Sequence, residues 1–217
     1  MTSAAHNLVL SVGALLKDPM DFPATMRFAD ATMQLRFVRA LHQRMLAGLS
    51  EPEIAHLYEL TLRPLDPASL SLLPEGTLGA ELARFLLSYQ LRMDAQQAAF
   101  PPMEKALADN WVMRRFCRAH DIHHVLLGLG PDVPSELAIQ YFNLKNFGEP
   151  YAFLAVLATP VILLRHGEAL ASLRKIGRAW RAAGRASNLF HVPYEDLLDK
   201  DVAVLRRELH IEPLAQI

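Results

Sequence analysis

"WVMRRFCRAHDIHHVLLGLGPDVPSELAIQYFNLK", residues 111–145, decides how this chain folds. Through residue 127 its apolar positions recur at three and four, the period of an amphipathic helix and not the alternation of a strand. "GLGPDVP" then ends that helix, because Gly frees the backbone and Pro cannot continue a helix interior. A second helix is predicted over 134–145. Two helices joined by so short a turn lie antiparallel and adjacent.

The same period extends outward in both directions. Apolar residues at helical spacing cover residues 24–49, and "SEPE" at 50–53 opens the next helix, 51–62, with a Ser cap and Pro and Glu in the first turn. Residues 63–75, "RPLDPASLSLLPE", hold three prolines and read as loop, after which 76–93 resume the helix. Beyond the hairpin come an apolar helix (149–164), a basic one (167–186) and a closing segment (194–209). No fixed-period repeat or low-complexity tract interrupts the series. The expected architecture is all-α, an irregular bundle of seven to nine helices forming one domain over residues 1–217.

Composition narrows the function classes. Hydrophobic residues make up 52% of the 217 and charged residues 21%, a balance that implies a large interior, an apolar cavity or a lipid-facing surface. A formal net charge of -1 argues against a general nucleic-acid binder. Cys117 is the single cysteine, so no intrachain disulfide forms and a reducing compartment is expected. The opening "MTSAAHNLVLSVGALLKDPM" has no basic residue ahead of its apolar stretch, and no targeting segment is expected from it. The longest apolar run, "YAFLAVLATPVILL" at 151–164, is too short to span a bilayer and carries Pro160. It reads as a kinked core helix or a segment touching the membrane interface. The expected location is cytoplasmic, with at most peripheral contact at the inner face of the membrane.

Three histidines and an aspartate crowd residues 120–124. At about 100° per residue, His120 and His124 fall one turn apart on one face, with Asp121 roughly 60° from His124. His123 points the other way and reads as a surface residue. Two imidazoles at i, i+4 can reach one divalent ion, and Asp121 can complete the face or orient a ligand from behind. Glu136 opens the returning helix, where it either faces the histidines or complements the positive helix end, with Asp132 or Ser135 as cap. A nitrogen and carboxylate set suits Zn(II), Fe(II) or Mn(II). Cys117 fits better as a small buried apolar residue than as a ligand. On spacing alone, a metal site and a His-rich polar face both remain open.

The full string, His120-Asp121-x-x-His124, eleven residues, then Glu136, resembles the signature of the Coq4 family of ubiquinone (coenzyme Q) biosynthesis proteins. "LPEGTLGAELARFL" and "RKIGRAWRAAGRASNLFHVPYEDLLDKDVAVLRRELHI" are similar to the family's flanking segments, while the N-terminal third diverges. The resemblance implies an all-α fold with an apolar cavity for isoprenoid lipid. It makes His120, Asp121, His124 and Glu136 the ligands of a divalent metal, zinc first, with iron or manganese as alternatives. It implies a metal-dependent decarboxylase or lyase that removes the C1 carboxylate of a polyprenylated 4-hydroxybenzoate, in an oxidative step that leaves hydroxyl. The other role it implies is a non-catalytic prenyl-lipid-binding scaffold that organises the ubiquinone biosynthetic enzymes. Partners would be a polyprenylated aromatic substrate or isoprenoid lipid, other ubiquinone biosynthesis proteins and a membrane surface. A homodimer is allowed and nucleic acid is not expected.

Two further features bear on those partners. Ala152, Ala155 and Ala158 put small residues along the apolar helix, which suits a lipid groove or plain core packing. Arg174, Arg178, Arg181 and Arg185 fall on one stripe that can meet anionic headgroups or water. A helical metallohydrolase would need further ligands from His56, His166 or His191, none of which is followed by Asp.

Overall fold

The computed structural model of the chain describes residues 4–18, 21–32, 35–89, 110–166 and 168–214. Among them run eleven α-helices: α1 Ala4–Lys17, α2 Phe22–Thr32, α3 Arg36–Met45, α4 Glu51–Leu62, α5 Pro67–Leu70, α6 Leu78–Ser88, α7 Trp111–Leu127, α8 Val133–Phe147, α9 Ala152–His166, α10 Ala169–Ala183 and α11 Val202–Glu208. Two 3₁₀ turns, Leu189–His191 and Tyr194–Asp196, precede α11. The described residues contain no strand, only an isolated bridge between Thr77 and Asp201. No helix among them is long and apolar enough to cross a membrane.

The chain is all-α, with eleven helices where seven to nine were expected. Helix α1 covers residues for which no helix was expected, and two local effects raise the number further. The single pattern over 24–49 divides into α2 and α3 at Thr32, whose hydroxyl donates to the carbonyl oxygens of Phe28 (2.8 Å) and Ala29 (3.2 Å). Such back-bonding competes with helix propagation. The proline-rich stretch 63–75 holds one helical turn, α5, because Asp66 accepts the N–H groups of Ala68 and Ser69 and Pro67 takes the first position. The helix expected over 76–93 appears as α6, and residues 90–93 lie outside the described residues.

Helix α7 is the most deeply set element near the site. Asn110 caps it by accepting the Met113 N–H at 3.2 Å. Val112, Phe116, Ala119, Ile122 and Leu126 then bury one stripe against α4, α6 and the 189–191 turn. Each such large aliphatic side chain contributes about 1.5–3 kcal/mol. Gly128 ends the helix at φ +66°, the left-handed conformation that glycine adopts without a Cβ clash. Leu129 then returns its N–H to the His124 carbonyl at 2.9 Å. The remaining carbonyls at this end are met by Arg206, which donates to Leu126 (2.9 Å) and Val125 (2.8 Å), and by the Leu214 N–H on Leu127 (2.7 Å). A cation at this negative helix end is also favoured by the dipole.

Asp132 caps the return helix α8 by accepting the Ser135 N–H at 3.0 Å. This helix packs along α9 and α10 and meets α7 near the turn, not side by side along its length as the short turn led to expect. Arg115 locks α7 to the C-terminal part of the chain. It is 1% exposed, and its guanidinium donates to both Glu195 carboxylate oxygens and to the Phe190 and Val192 carbonyls.

Candidate metal centre

The Gly128 turn brings the first turn of α8 back over the last two turns of α7. His120 Nε2 and His124 Nε2 lie 3.2 Å apart. Glu136 completes the triangle, with Oε1 3.1 Å from His124 Nε2 and Oε2 3.4 Å from His120 Nε2. These three groups are the cluster among the described residues whose ligand atoms converge for an ion. Bonds of about 2.0–2.1 Å at tetrahedral angles would separate neighbouring ligand atoms by about 3.3 Å. The edge between the two imidazoles matches that spacing, and one ligand atom from each of the three residues lies within 4.8 Å of the others, so the residues fit a divalent ion.

The surroundings prepare the same face. His124 Nδ1 lies 3.2 Å from the Leu129 carbonyl oxygen, which only accepts, so in the neutral ring the proton sits on Nδ1. The Nε2 lone pair then points at the cluster. Phe85 of α6 stacks on the His124 ring with centroids 5.1 Å apart, and His124 itself is 1% exposed. Burial penalises charge throughout the site, yet hydrogen bonds and charge from His120 and His124 overcome it and hold the Glu136 carboxyl well below the usual range. Burial likewise disfavours a charged His120, and Glu136 outweighs it, raising the imidazole above its ordinary value. The cluster is thus a preformed carboxylate-imidazole site.

Not every expected residue joins it. Asp121 is buried beside both histidines, but its carboxylate stands outside the converging triangle. Burial raises its pKa while the charges of His120 and His124 pull it down. His123 does point away from the ligands, but it is fully buried, not on the surface. It lies between Phe147 and Tyr194, with ring centroids 5.9 and 5.8 Å away, and burial pushes it down to about 3. Cys117 packs partly buried against the core, and burial lifts its thiol to about 12. His56 pairs instead with Asp196 at 2.6 Å, and His191 donates to the Met45 carbonyl at 2.8 Å. The His166 side chain lies outside the described residues. No local pattern marks Phe85 or the Leu129 carbonyl, which only the folded chain brings to His124.

A cavity of about 540 Å³ opens beside His124. Phe85, Val125 and Leu129 line it together with Glu81, Arg84 and Arg206. Its walls are mixed, so it suits a polar or aromatic group better than a long apolar chain.

Comparison with known proteins agrees with this fold. The family model described as coenzyme Q (ubiquinone) biosynthesis protein Coq4 matches residues 3–215. A mitochondrial ubiquinone biosynthesis protein COQ4 homolog from Danio rerio is 29% identical over 97% of this chain and 78% of its own length. The mitochondrial ubiquinone biosynthesis protein coq4 of Aspergillus clavatus is 30% identical over 93% of this chain and 70% of its own length. A crystal structure from Nostoc punctiforme, of a protein provisionally named for ubiquinone biosynthesis, superposes with a TM-score of 0.74. That pair covers 99% of this chain and 100% of the other at 20% identity, and shares the fold. The chain belongs to the Coq4 family of coenzyme Q (ubiquinone) biosynthesis proteins.

Proposed function

We propose that this protein carries out a metal-dependent step of ubiquinone biosynthesis, removing the C1 carboxylate of a polyprenylated 4-hydroxybenzoate. The observation that supports it is the triangle of His120, His124 and Glu136, whose edges suit one divalent ion. Asp121 is the fourth ligand by family resemblance, and the whole set suits zinc, with iron or manganese as alternatives. A divalent ion held there supplies Lewis acidity toward a carboxylate or phenolate and toward charge left on the ring. The chain's own groups then orient the ring. Phe85 and Tyr89 offer aromatic faces in the adjoining cavity, and Arg84 and Arg206 offset negative charge there. For the oxidative form of the step, dioxygen and water balance the conversion of the acid to phenol, carbon dioxide and hydrogen peroxide.

Exposed apolar residues favour a membrane setting and a second reading. Phe153, Leu157 and Leu164 on α9 and Leu170 and Leu173 on α10 are all more than half exposed, Leu164 by 86%. Arg165, Arg174 and Arg181 are exposed on the same two helices. A patch of this kind suits peripheral docking at the cytoplasmic face of a membrane, or contact with other ubiquinone biosynthesis proteins. In the second reading the chain is a prenyl-lipid-binding scaffold without catalysis.

Carboxyl-labelled, prenylated 4-hydroxybenzoate incubated with metal-loaded protein under dioxygen separates the two. Labelled carbon dioxide is expected from the parent and not from His124→Ala or Glu136→Ala, which also lose bound metal while keeping their helix content. Intact label with substrate bound would overturn the enzyme and leave the scaffold. Full metal occupancy in both variants would overturn the site.

A further inference from the structure

Two arginines line the cavity beside His124, and their surroundings differ. Arg84 is more than half exposed, and its guanidinium already meets two carboxylates, Glu81 at 2.9 Å and Glu75 at 3.1 Å. Arg206 of α11 forms no ion pair among the described residues. Glu81 and Asp201 act on it only from beyond that range, and each has a partner of its own. Glu81 holds Arg84, and Asp201 accepts the Val204 N–H at 2.9 Å as the cap of α11. Arg206 is therefore the cation of this cavity whose charge no carboxylate has claimed.

Its guanidinium is nevertheless held still. Nε donates to the Leu126 carbonyl at 2.9 Å and Nη2 to the Val125 carbonyl at 2.8 Å, the two residues that follow His124. Capping α7 accounts for those bonds and for a cation at that helix end. It does not exhaust a group with five N–H donors in one plane. Nη1 has no bond among the described residues and is not sealed from solvent. Because the two carbonyls fix the plane, a ligand meets a fork whose ordering cost is already met.

The rest of the lining suits a flat ring. Phe85 lies nearly parallel to His124, with centroids 5.1 Å apart and 24° between the planes. Tyr89 meets Phe85 edge-on at 5.2 Å. These three rings make an aromatic wall in a cavity of about 540 Å³. An aromatic acid matches that layout, its ring against the wall and its carboxylate at a guanidinium.

Resting on the reading of this cavity as the seat of the substrate ring, we propose that Arg206 recognises the substrate's carboxylate and sets a preference for an aromatic acid. The carboxylate accepts from the N–H groups that the α7 carbonyls leave free. Since those carbonyls belong to Val125 and Leu126, the acid is seated against the helix that carries His120 and His124. This recognition needs no metal ion.

Isothermal titration of the chelator-treated full chain tests it, with 4-hydroxy-3-prenylbenzoate and its carboxamide as probes. The parent is expected to bind the acid about ten-fold more tightly than the amide. Arg206→Met removes the charge and should bind the two probes alike. Arg206→Lys keeps a cation at the end of α7 but loses the fork, and should narrow the preference. A purely structural role would weaken both probes together and leave their ratio unchanged. An undiminished preference in Arg206→Met, or in Arg206→Lys where the Met variant fails to fold, overturns the proposal. Loss of the preference in Arg84→Met alone would assign the carboxylate to Arg84 and overturn it equally. A parent that binds neither probe would remove the ring's seat, and the role of Arg206 with it. An acid preference that depends on Arg206, in a protein whose metal-loaded form releases no labelled carbon dioxide, would sink the decarboxylation and leave the carboxylate receptor standing.

Discussion

At the scale of single residues, Gly128 links backbone conformation to the site. Its φ of +66° turns the chain so that the Leu129 carbonyl meets His124 Nδ1. Alanine at this position strains the left-handed conformation, at a cost of about 1 kcal/mol. Relaxation of the turn would also move the carbonyl that fixes the His124 ring. Gly128→Ala is therefore expected to lower the unfolding free energy in urea by that amount, moving the midpoint down, and to weaken metal binding as well. A variant with the parent's midpoint and metal affinity would show that neither the turn nor the carbonyl matters there. His123 is the counterpart case. Its direction on the helix was legible from residue number alone, but what lay in that direction was not. Phe147 and Tyr194 cover it from 24 and 71 residues away in sequence, which no local periodicity records.

At the scale of elements, the α7–α8 hairpin was legible because its signals are local. Asn110 and Asp132 as caps and Gly128 as a stop all act within four residues of the helix ends they define. Those signals set the chain reversal at Gly128, which brings Glu136 to His120 and His124, so most of the candidate site followed from them even though the two helices do not pack side by side. The division of 24–49 was less legible, since a threonine hydroxyl bonding backward leaves no mark in hydrophobic spacing. Least legible was Arg115, which sits among exposed-looking charges in "MRRF" yet holds the 189–196 segment onto α7. Its long-range partners decide its burial. Arg118 also reaches Glu195, at 3.6 Å, so Arg115→Met leaves the buried carboxylate only that weaker partner and is expected to cost about 3 kcal/mol in chemical denaturation. Adding Glu195→Leu should recover part of that loss, because the poorly paired carboxylate is then gone while the partly exposed Arg118 turns to water. Equal losses in the single and double variants would argue that the guanidinium's bonds to the Phe190 and Val192 carbonyls, and not the ion pair, hold the segment.

At the scale of the whole molecule, His42 joins three parts of the chain and makes their assembly sensitive to acid. It lies on α3, its Nδ1 is 3.0 Å from Asn110 Nδ2 at the start of α7, and its ring is 6.0 Å from Tyr151 ahead of α9. Asn110 Oδ1 is already committed to the Met113 N–H, so its Nδ2 donates and His42 Nδ1 must accept. Protonation would set two donors against each other. Burial also disfavours the charged ring, and the His42 pKa falls from 6.5 to about 4. Between those values the unfolded chain binds the proton that the folded chain refuses, so stability must fall as pH falls from 6.5 to 4. The share that belongs to His42 is fully present above pH 6.5 and is on the order of 3 kcal/mol. His123 adds a loss of the same sign, which parent and variant share. Denaturation midpoints at pH 7.5 and pH 5 for the parent and His42→Gln isolate the His42 share, because glutamine can still accept from Asn110 and does not titrate. The variant is expected to lose distinctly less stability between the two pH values. An identical loss in both proteins would mean that the acid sensitivity arises elsewhere and that the α3, α7 and α9 junction tolerates a charged ring.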